Sequence, residues 1–236
     1  MDYADITDLT KEFVVLRHDI EFSIERAYDL ACIEHRMGIA SSYLVQLTNN
    51  TYNALSQENI EMLKQMIFMG HHVGLHYHMK EGMNDANSIK DDILFETQIL
   101  ERFLDKKIDR FSLHRPSSSL LRDGISIKGL LNLYDRKYFT FCEDVDALKE
   151  NHIKYISDSR HRWNYGFPDD KTLMENDKVQ LLIHPYSWTK AGLDNAENFA
   201  DLSRLKIQTL WNTMDSECKH FSEIKNQLTL QSFLVE

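Results

Sequence analysis

Two carboxylates separated by one residue, Asp19 and Glu21, stand shortly after the apolar run Phe13–Leu16. In an extended segment, residues two positions apart point the same way, so both carboxylates can face one site. One of them can then bind a divalent metal while the other takes the proton of a metal-bound water. The alternative is that one of them caps a helix beginning near Ser23, and the pattern alone leaves both interpretations open.

A cluster of histidines follows in segment 70–78, where four of the chain's 11 histidines fall within nine positions. Neutral imidazole is a common ligand for zinc and similar metals. If the segment is a strand, His72, His76 and His78 share one face, and His72 lies at its far end. We therefore expect His76 and His78 to be metal ligands. The alternative for His78 is that it merely begins a polar loop.

Short apolar runs alternate with stretches of helical periodicity, which favours parallel strands covered by helices. The predicted strands are Phe13–Leu16, Ser42–Leu47, Val73–His76, Phe111–His114, Tyr138–Cys142, Lys154–Ser157 and Val179–His184. The predicted helices begin after Ser23 and cover Gln57–Met69, Asn87–Leu104, part of Leu120–Leu133 and the chain from Ala196 onward. Periodicity does not decide between a barrel and an open sheet.

Polar residues that can take part in chemistry collect directly after these strands. They are His18–Glu21, His76–His78, His114–Pro116, Ser157–Asp158 and His184–Pro185. In a parallel barrel, the carboxyl ends of all strands meet at one rim, which is where active sites lie. The sequence therefore predicts a site at this rim.

Five segments in chain order resemble the motifs of the polysaccharide deacetylases, also known as the NodB-homology or carbohydrate esterase family 4-like proteins. They are Leu16–Glu21, Gly70–His76, His114–Pro116, Ser157–Ser159 with Trp163, and Leu182–Pro185. Together they lie within residues 16–188. The resemblance implies an α/β fold, a distorted seven-stranded (β/α) barrel, and hydrolytic removal of an acetyl group from an N-acetylated sugar.

The same resemblance implies a role for each matching residue. Asp19 would be the general base, Glu21 and His76 would bind the metal, and His184 would be the general acid. Asp158 would orient His184, and Arg115 would hold Asp19 ionised. The implied cofactor is a divalent metal, with zinc as the expected ion. Three aromatic residues are candidates for contact with the sugar or the acetyl methyl, with the hydrophobic core as the alternative: Tyr77, Trp163 and Trp188.

The chain departs from the family pattern at two positions. Glu21 stands where an aspartate is usual, and Lys80 replaces the second metal histidine. A cationic lysine cannot bind a metal, so either His78 substitutes for that histidine or the metal is weakly held or absent. The basic residues 160–162 are interpreted as ordinary surface side chains. The alternative is that they contact an anionic sugar.

The length and composition of the chain bear on its domain number, its partners and its location. The 236 residues contain no linker-like stretch, so we expect a single barrel domain over residues 1–236. A formal net charge of −10 makes nucleic acid an unexpected partner, and no apolar run approaches the length of a membrane span. Three scattered cysteines and an acidic, polar first segment predict reduced thiols, no signal peptide and a cytoplasmic location.

Two functions from different classes follow. The first is a metal-dependent hydrolase that deacetylates a sugar or a glycan precursor. The second is a carbohydrate-binding or regulatory protein that kept the barrel and lost efficient metal chemistry, an interpretation motivated by Lys80.

Overall fold

One seven-stranded sheet carries the candidate residues. The computed structural model describes residues 1–80, 82–83, 85–140 and 152–228. The strands are β1 (Phe13–Ile20), β2 (Ser42–Val45), β3 (His72–His78), β4 (Arg110–His114), β5 (Leu131–Asn132), β6 (Lys154–Ser157) and β7 (Lys178–Ile183).

The strand order is that of a barrel opened along one seam. The sheet runs β5-β4-β3-β2-β1-β7-β6, and every ladder in it is parallel. The last strand, β7, returns to pair with the first strand, β1. Among the described residues, no ladder joins β5 to β6. The predicted distorted seven-stranded (β/α) barrel is therefore confirmed, as a sheet curled into a half-barrel.

Helices follow the strands as the alternation predicted. The helices are α1 (Ile24–Arg36), α2 (Gln57–Phe68), α3 (Ala86–Leu104), α4 (Ser118–Asp123), α5 (Asp170–Met174), α6 (Asn195–Glu217) and α7 (Lys219–Ile224). Ser23 begins α1, because its side-chain oxygen accepts a hydrogen bond from the backbone N–H of Arg26. The cap near Ser23 is thus Ser23 itself, which leaves Asp19 and Glu21 available for other contacts.

Side-chain alternation along β1 separates two buried regions. Val15 lies in the interior of the sheet with Leu44, whereas Ile20 packs outward against α1 beside Ile24 and Ala27. Arg17 and Asp19 lie on the same side of β1 as Val15, because side chains two apart share a face. The polar residues of β1 therefore point into the interior toward its carboxyl end.

The fifth strand lies elsewhere than predicted. Residues 138–140 form a turn and irregular backbone, while positions 141 and 142 lie outside the described residues. The strand beside β4 is instead β5, inside the predicted helical stretch Leu120–Leu133. Hydrogen bonds explain the difference: Leu131 donates its N–H to the carbonyl of Asp109 at 2.7 Å, and Leu133 donates to Phe111 at 3.0 Å. Pairing with β4 overrides the local helical pattern.

A buried arginine fills the amino-terminal end of the sheet. Arg110 donates hydrogen bonds to Asp2 at 2.6 Å and Ser42 at 2.7 Å, and it contacts Nδ1 of His72 at 3.0 Å. A Cβ at Gly74 would lie 2.6 Å from Cγ of Arg110, so only glycine lets this side chain cross β3. His72 is thereby held at the end of β3 opposite the candidate site, as predicted.

The chain divides into two compact units, Met1–Ala191 and Gly192–Glu236. In the second unit, Asp194 and Glu197 form a reciprocal capping box at the start of α6, and the rings of Trp211 and Phe221 lie 5.1 Å apart. The predicted helix from Ala196 onward is confirmed. The single domain over residues 1–236 stays a prediction. No helix among the described residues is long and apolar enough to cross a membrane.

Candidate metal and acid–base site

Four strands bring the candidate side chains to one rim. Asp19 and Glu21 stand at the end of β1, His76 near the end of β3, His114 at the end of β4, and His184 directly after β7. All five line the same cleft, which has a volume of about 820 Å³. The prediction that the polar strand ends share one site is confirmed for these residues.

Asp19 is held by an arginine on its own strand. Nε and Nη2 of Arg17 donate to the two carboxylate oxygens of Asp19 at 2.8 and 2.7 Å, and both side chains are buried. The Arg17 guanidinium also lies 4.3 Å from the ring centre of Tyr134. Burial opposes ionisation of Asp19, but the adjacent guanidinium outweighs burial and holds the pKa of this carboxyl well below its usual range.

This arrangement corrects the role expected for Arg115. Its side chain is exposed and makes no ion pair with Asp19, whose two oxygens are already bound by Arg17. The sequence carried a usable signal, because Arg17 and Asp19 are two apart on a strand and therefore share a face. Arg115 does line the cleft, so it remains close to the site without holding the base.

Three side chains could hold a metal ion together: Glu21, His76 and His114. Their ligand atoms all lie within 4.8 Å of one another. Nε2 of His76 is 3.1 Å from Nδ1 of His114, which is 3.2 Å from Oε1 of Glu21. One carboxylate with two imidazoles is a ligand set that catalytic zinc sites use, with an open position left for water.

The surroundings of His76 fit a metal ligand. Its Nδ1 forms a 2.7 Å hydrogen bond with Oγ of Ser112, which fixes the ring with Nε2 turned toward the cluster. Burial lowers the pKa of His76 to about 3, so the imidazole is neutral at neutral pH, as a ligand must be. Burial alone would raise the pKa of Glu21, but contact with His114 and the charge of His184 outweigh burial and lower it.

The expectation that His78 completes this set is wrong. His78 is the last residue of β3 and is exposed, and its ring lies edge-on at 4.7 Å from the ring of His114. Two residues span roughly 6.6 Å along a strand, which carries His78 past the cluster. His114 faces His78 in the β3–β4 register and leans back toward His76. The sequence marked His114 as a strand end, but single-strand spacing could not show which neighbouring strand supplies the second histidine.

Lys80 and Tyr77 both point toward helix α3. Their side chains bond the same carboxylate, because Lys80 forms an ion pair with Asp92 and the Tyr77 hydroxyl donates to Asp92 at 2.8 Å. Tyr77 is fully buried on the face of β3 opposite His76, as alternation requires. The prediction that Tyr77 binds substrate is therefore wrong. Lys80 does not occupy the metal cluster.

The imidazole of His184 contacts the carboxylate of Asp158 on the side away from the cluster of Glu21, His76 and His114. Its Nδ1 is 2.6 Å from Oδ1 of Asp158, and Nε2 lies 3.9 Å from Oε1 of Glu21. Burial disfavours the imidazolium, but the hydrogen bond and charge of Asp158 outweigh it, so the pKa of His184 is raised. The backbone N–H of His184 also donates to Asp158, at 3.0 Å. The predicted contact of Asp158 with His184 is confirmed, while their catalytic roles stay predictions.

Two tryptophans stand behind this pair. Nε1 of Trp188 donates to Oδ2 of Asp158 at 2.8 Å, so both oxygens of Asp158 are engaged. Trp163 lies edge-on to Trp188 with ring centres 6.4 Å apart, and Trp188 is 47% exposed. The indole N–H of Trp188 thus helps to fix Asp158. Contact of either ring with a sugar stays a prediction.

The backbone that carries Glu21 is fixed by the loop after β2. The Tyr52 hydroxyl donates to the carbonyl of Ile20 at 2.7 Å. Nδ2 of Asn49 and the hydroxyl of Thr51 donate to the carbonyl of Glu21 at 2.8 and 3.1 Å. Sequence reasoning missed these three residues, because nothing in their spacing links them to β1. They set the direction in which the longer Glu21 side chain leaves the strand.

Comparison with known proteins finds similarity of fold. No protein-family profile and no curated protein matches the sequence. Among solved structures, the chain is similar to a chitin deacetylase from Colletotrichum lindemuthianum (13% identity, 82% of this chain and 81% of that one, TM-score 0.49). It is also similar to the peptidoglycan deacetylase PdaC from Bacillus subtilis (13%, 94% and 100%, 0.47).

A third similar structure is a mutant of BA3943, a CE4 family pseudoenzyme of Bacillus anthracis, with restored enzymatic activity (15% identity, 83% of this chain, TM-score 0.47). The chain spans 64% of that protein's length. At this identity, all three matches concern the fold alone.

Proposed function

We propose that this chain is a metal-dependent hydrolase that removes the acetyl group from an N-acetylated sugar or glycan precursor. The observation that carries the proposal is the cluster of Glu21, His76 and His114 placed between a buried ionised carboxylate, Asp19, and a carboxylate-backed imidazole, His184. The ordered sequence motifs support the same reaction class. The cytoplasmic location of the protein and of its substrate is part of the proposal.

A divalent metal, proposed to be zinc, would be held by Glu21, His76 and His114 and would supply Lewis acidity toward water and the acetyl oxygen. Asp19 accepts the proton of the attacking water. It is ionised at neutral pH because Arg17 lowers its pKa, and its Oδ2 lies 3.6 Å from Nε2 of His76. A positioned base of this kind contributes about 10²–10⁴-fold to the rate.

His184 acts at the end of the reaction. Its Nδ1 is engaged by Asp158, so the proton that leaves is the one on Nε2, the nitrogen that faces Glu21. The amine of the sugar leaves with this proton as the C–N bond breaks, and acetate is the second product. The raised pKa of His184 keeps a larger fraction of the imidazole protonated near neutral pH, as a general acid requires.

One observation favours the second candidate, a carbohydrate-binding or regulatory protein without metal chemistry. His76 and His114 are within hydrogen-bond distance of each other at 3.1 Å, so the two imidazoles can satisfy each other when no metal is bound. The two functions differ in whether the cluster binds a metal and whether acetate is released.

The test compares His114→Ala with His78→Ala as a matched control. Both are histidines at strand ends and their rings touch, but only His114 belongs to the cluster. Zinc content and affinity, and acetate release from N-acetylated sugars, are measured for both variants and for the parent protein. We expect His114→Ala to lose tight zinc binding and at least about 10²-fold in acetate release, while His78→Ala keeps both.

Two results would contradict the proposal. If the parent protein binds no zinc and releases no acetate, the result favours the carbohydrate-binding or regulatory function over the hydrolase. If His78→Ala and His114→Ala lose zinc equally, the ligand assignment is wrong.

A further inference from the structure

The wall of the cleft is basic although the chain is acidic. The chain has a formal net charge of −10, yet Arg115, Lys154 and Arg160 all line the cleft. Among its described lining residues, the only carboxylates are Asp19 and Glu21. Arg17 neutralises Asp19, and the proposed metal would more than neutralise Glu21. The remaining charge on the described part of the cleft wall is positive.

Within the described part of the chain, no carboxylate forms an ion pair with Arg115, Lys154 or Arg160. Other basic side chains of the first unit, such as Arg17 and Arg110, each bind a carboxylate. Unpaired charges of one sign in a cleft concentrate ligands of the opposite sign.

The backbone at both arginines is unusual. Arg115 has φ 49° and Arg160 has φ 60°, in the left-handed region that residues other than glycine rarely adopt. Such residues cluster at ligand sites, where the surrounding structure holds them. Arg115 directly follows His114 of the proposed metal cluster, so its unusual backbone turns the chain at the rim itself.

Gly166 leaves space beside the ammonium group of Lys154. Nζ of Lys154 lies 3.3 Å from the point that a Cβ of Gly166 would occupy, and Gly166 also lines the cleft. Gly166 has φ 111°, which suits glycine, and it leaves space next to the ammonium. Lys154 is the first residue of the edge strand β6 and lines the cleft beside the open seam, whereas Arg115 and Arg160 follow the carboxyl ends of β4 and β6.

We infer that the substrate carries an anionic group, a carboxylate or a phosphate, next to its acetylated sugar, that Arg115 and Arg160 at the rim bind that group, and that Lys154 adds to the positive charge of the same cleft. This inference rests on the proposed deacetylase function. Guanidinium groups bind both anions through paired hydrogen bonds. The carboxylate would belong to an acetylated amino-uronic acid, and the phosphate to a sugar phosphate or a nucleoside diphosphate sugar. A neutral sugar would leave all three charges unpaired.

The experiment uses four probes with the zinc-loaded protein: N-acetylglucosamine, its 6-carboxylate analogue, its 1-phosphate and its uridine diphosphate conjugate. Acetate release gives kcat/KM, and calorimetry gives Kd, at low and high salt. We expect at least one anionic probe to exceed the neutral sugar by 10-fold or more in both quantities, with the advantage shrinking in high salt. The ranking of the carboxylate and phosphate probes identifies the source of the anion.

Arg160→Gln should remove most of that advantage through KM and Kd, and Arg162→Gln is the matched control. Arg162 is also exposed and belongs to the same basic run, but it does not line the cleft. If Arg160→Gln does not fold, Lys154→Met tests the same charge from β6.

The two failures can be told apart. Equal kcat/KM and Kd for neutral and anionic probes would overturn the anionic subsite while leaving the deacetylase standing. Tight, salt-sensitive binding of an anionic probe without acetate release from any probe would overturn the deacetylase and support the subsite. Equal losses in Arg160→Gln and Arg162→Gln would also overturn the subsite.

Discussion

Replacement of Arg17 by methionine tests the buried ion pair at the base of the site. The change removes a fully buried guanidinium that makes two hydrogen bonds to Asp19, while the methionine keeps most of the apolar stem that lies against Tyr134. The carboxylate of Asp19 then stays buried without its counter-charge. Breaking a buried pair in this way costs about 3–5 kcal/mol of the free energy of unfolding.

The pH dependence should reverse at the same time. In the parent chain the pKa of Asp19 is lowered in the folded state, so its contribution to stability is complete above the unfolded pKa of about 3.9 and is lost as pH falls through the folded pKa. Without Arg17, burial raises the folded pKa above the unfolded value. Ionisation of Asp19 then opposes folding, and stability falls as pH rises, by up to about 1.4 kcal/mol per pH unit.

Urea unfolding in the presence of a chelator measures the loss of stability and its pH dependence. The measurements run from about pH 4, near the pKa of an unfolded aspartate, to about pH 8. Arg17→Met with Asp19→Asn should recover most of the loss, because no buried charge remains. Arg162→Met, at an exposed position, should change stability by less than about 0.5 kcal/mol. A loss below about 1 kcal/mol in Arg17→Met, or a double variant no more stable than the single one, would refute the reasoning.

Three further predictions concern the general acid, its carboxylate partner and the backbone that supports the proposed metal cluster. His184→Ala should slow acetate release by about 10²-fold for an amide and less for an activated ester, and equal losses would show that His184 only positions or packs. Because the acid form is the active one, kcat should fall as pH rises through the raised pKa of His184, and Asp158→Asn should move that fall to lower pH. Tyr52→Phe removes the hydroxyl bound to the carbonyl of Ile20 and should weaken zinc affinity several-fold with the circular dichroism spectrum unchanged; unaltered affinity would contradict a positioning role.

The elements that the sequence predicted well are those with strong local signals. Strands β1, β2, β3, β4, β6 and β7 overlap the stretches predicted as strands, and Ser23 caps α1 as its residue type indicates. The two-residue strand β5 has no such signal. It exists because β4 offers free backbone groups to Leu131 and Leu133, a tertiary pairing that no local window contains.

The alternation of side chains along a single strand predicted part of the candidate site. Asp19 and Glu21 do reach one cleft, and His76 does lie in the cluster that could hold a metal. The second histidine depends on the register between β3 and β4, which pairs His78 with His114. Register is a property of two strands and their packing, so the choice between these histidines needed the structure.

The two departures from the deacetylase motifs that the sequence resembles, at Glu21 and Lys80, are linked by geometry. With Lys80 bound to Asp92 on α3, the second histidine of the cluster comes from β4 instead of the end of β3. Glu21, which leaves β1 from a backbone fixed by Asn49, approaches His114 at 3.2 Å, and a glutamate side chain has one methylene more than an aspartate with which to cover that span.

The difference between the role expected for Arg115 and its contacts follows from β1 itself. Because Arg17 on the same strand holds Asp19, Arg115 is not needed for that role, and it lines the cleft with no ion pair to any described carboxylate. The residue that the motif assigns to the base is thereby available to the substrate. The Arg17–Asp19 ion pair therefore leaves Arg115 as one cation of the proposed anionic subsite.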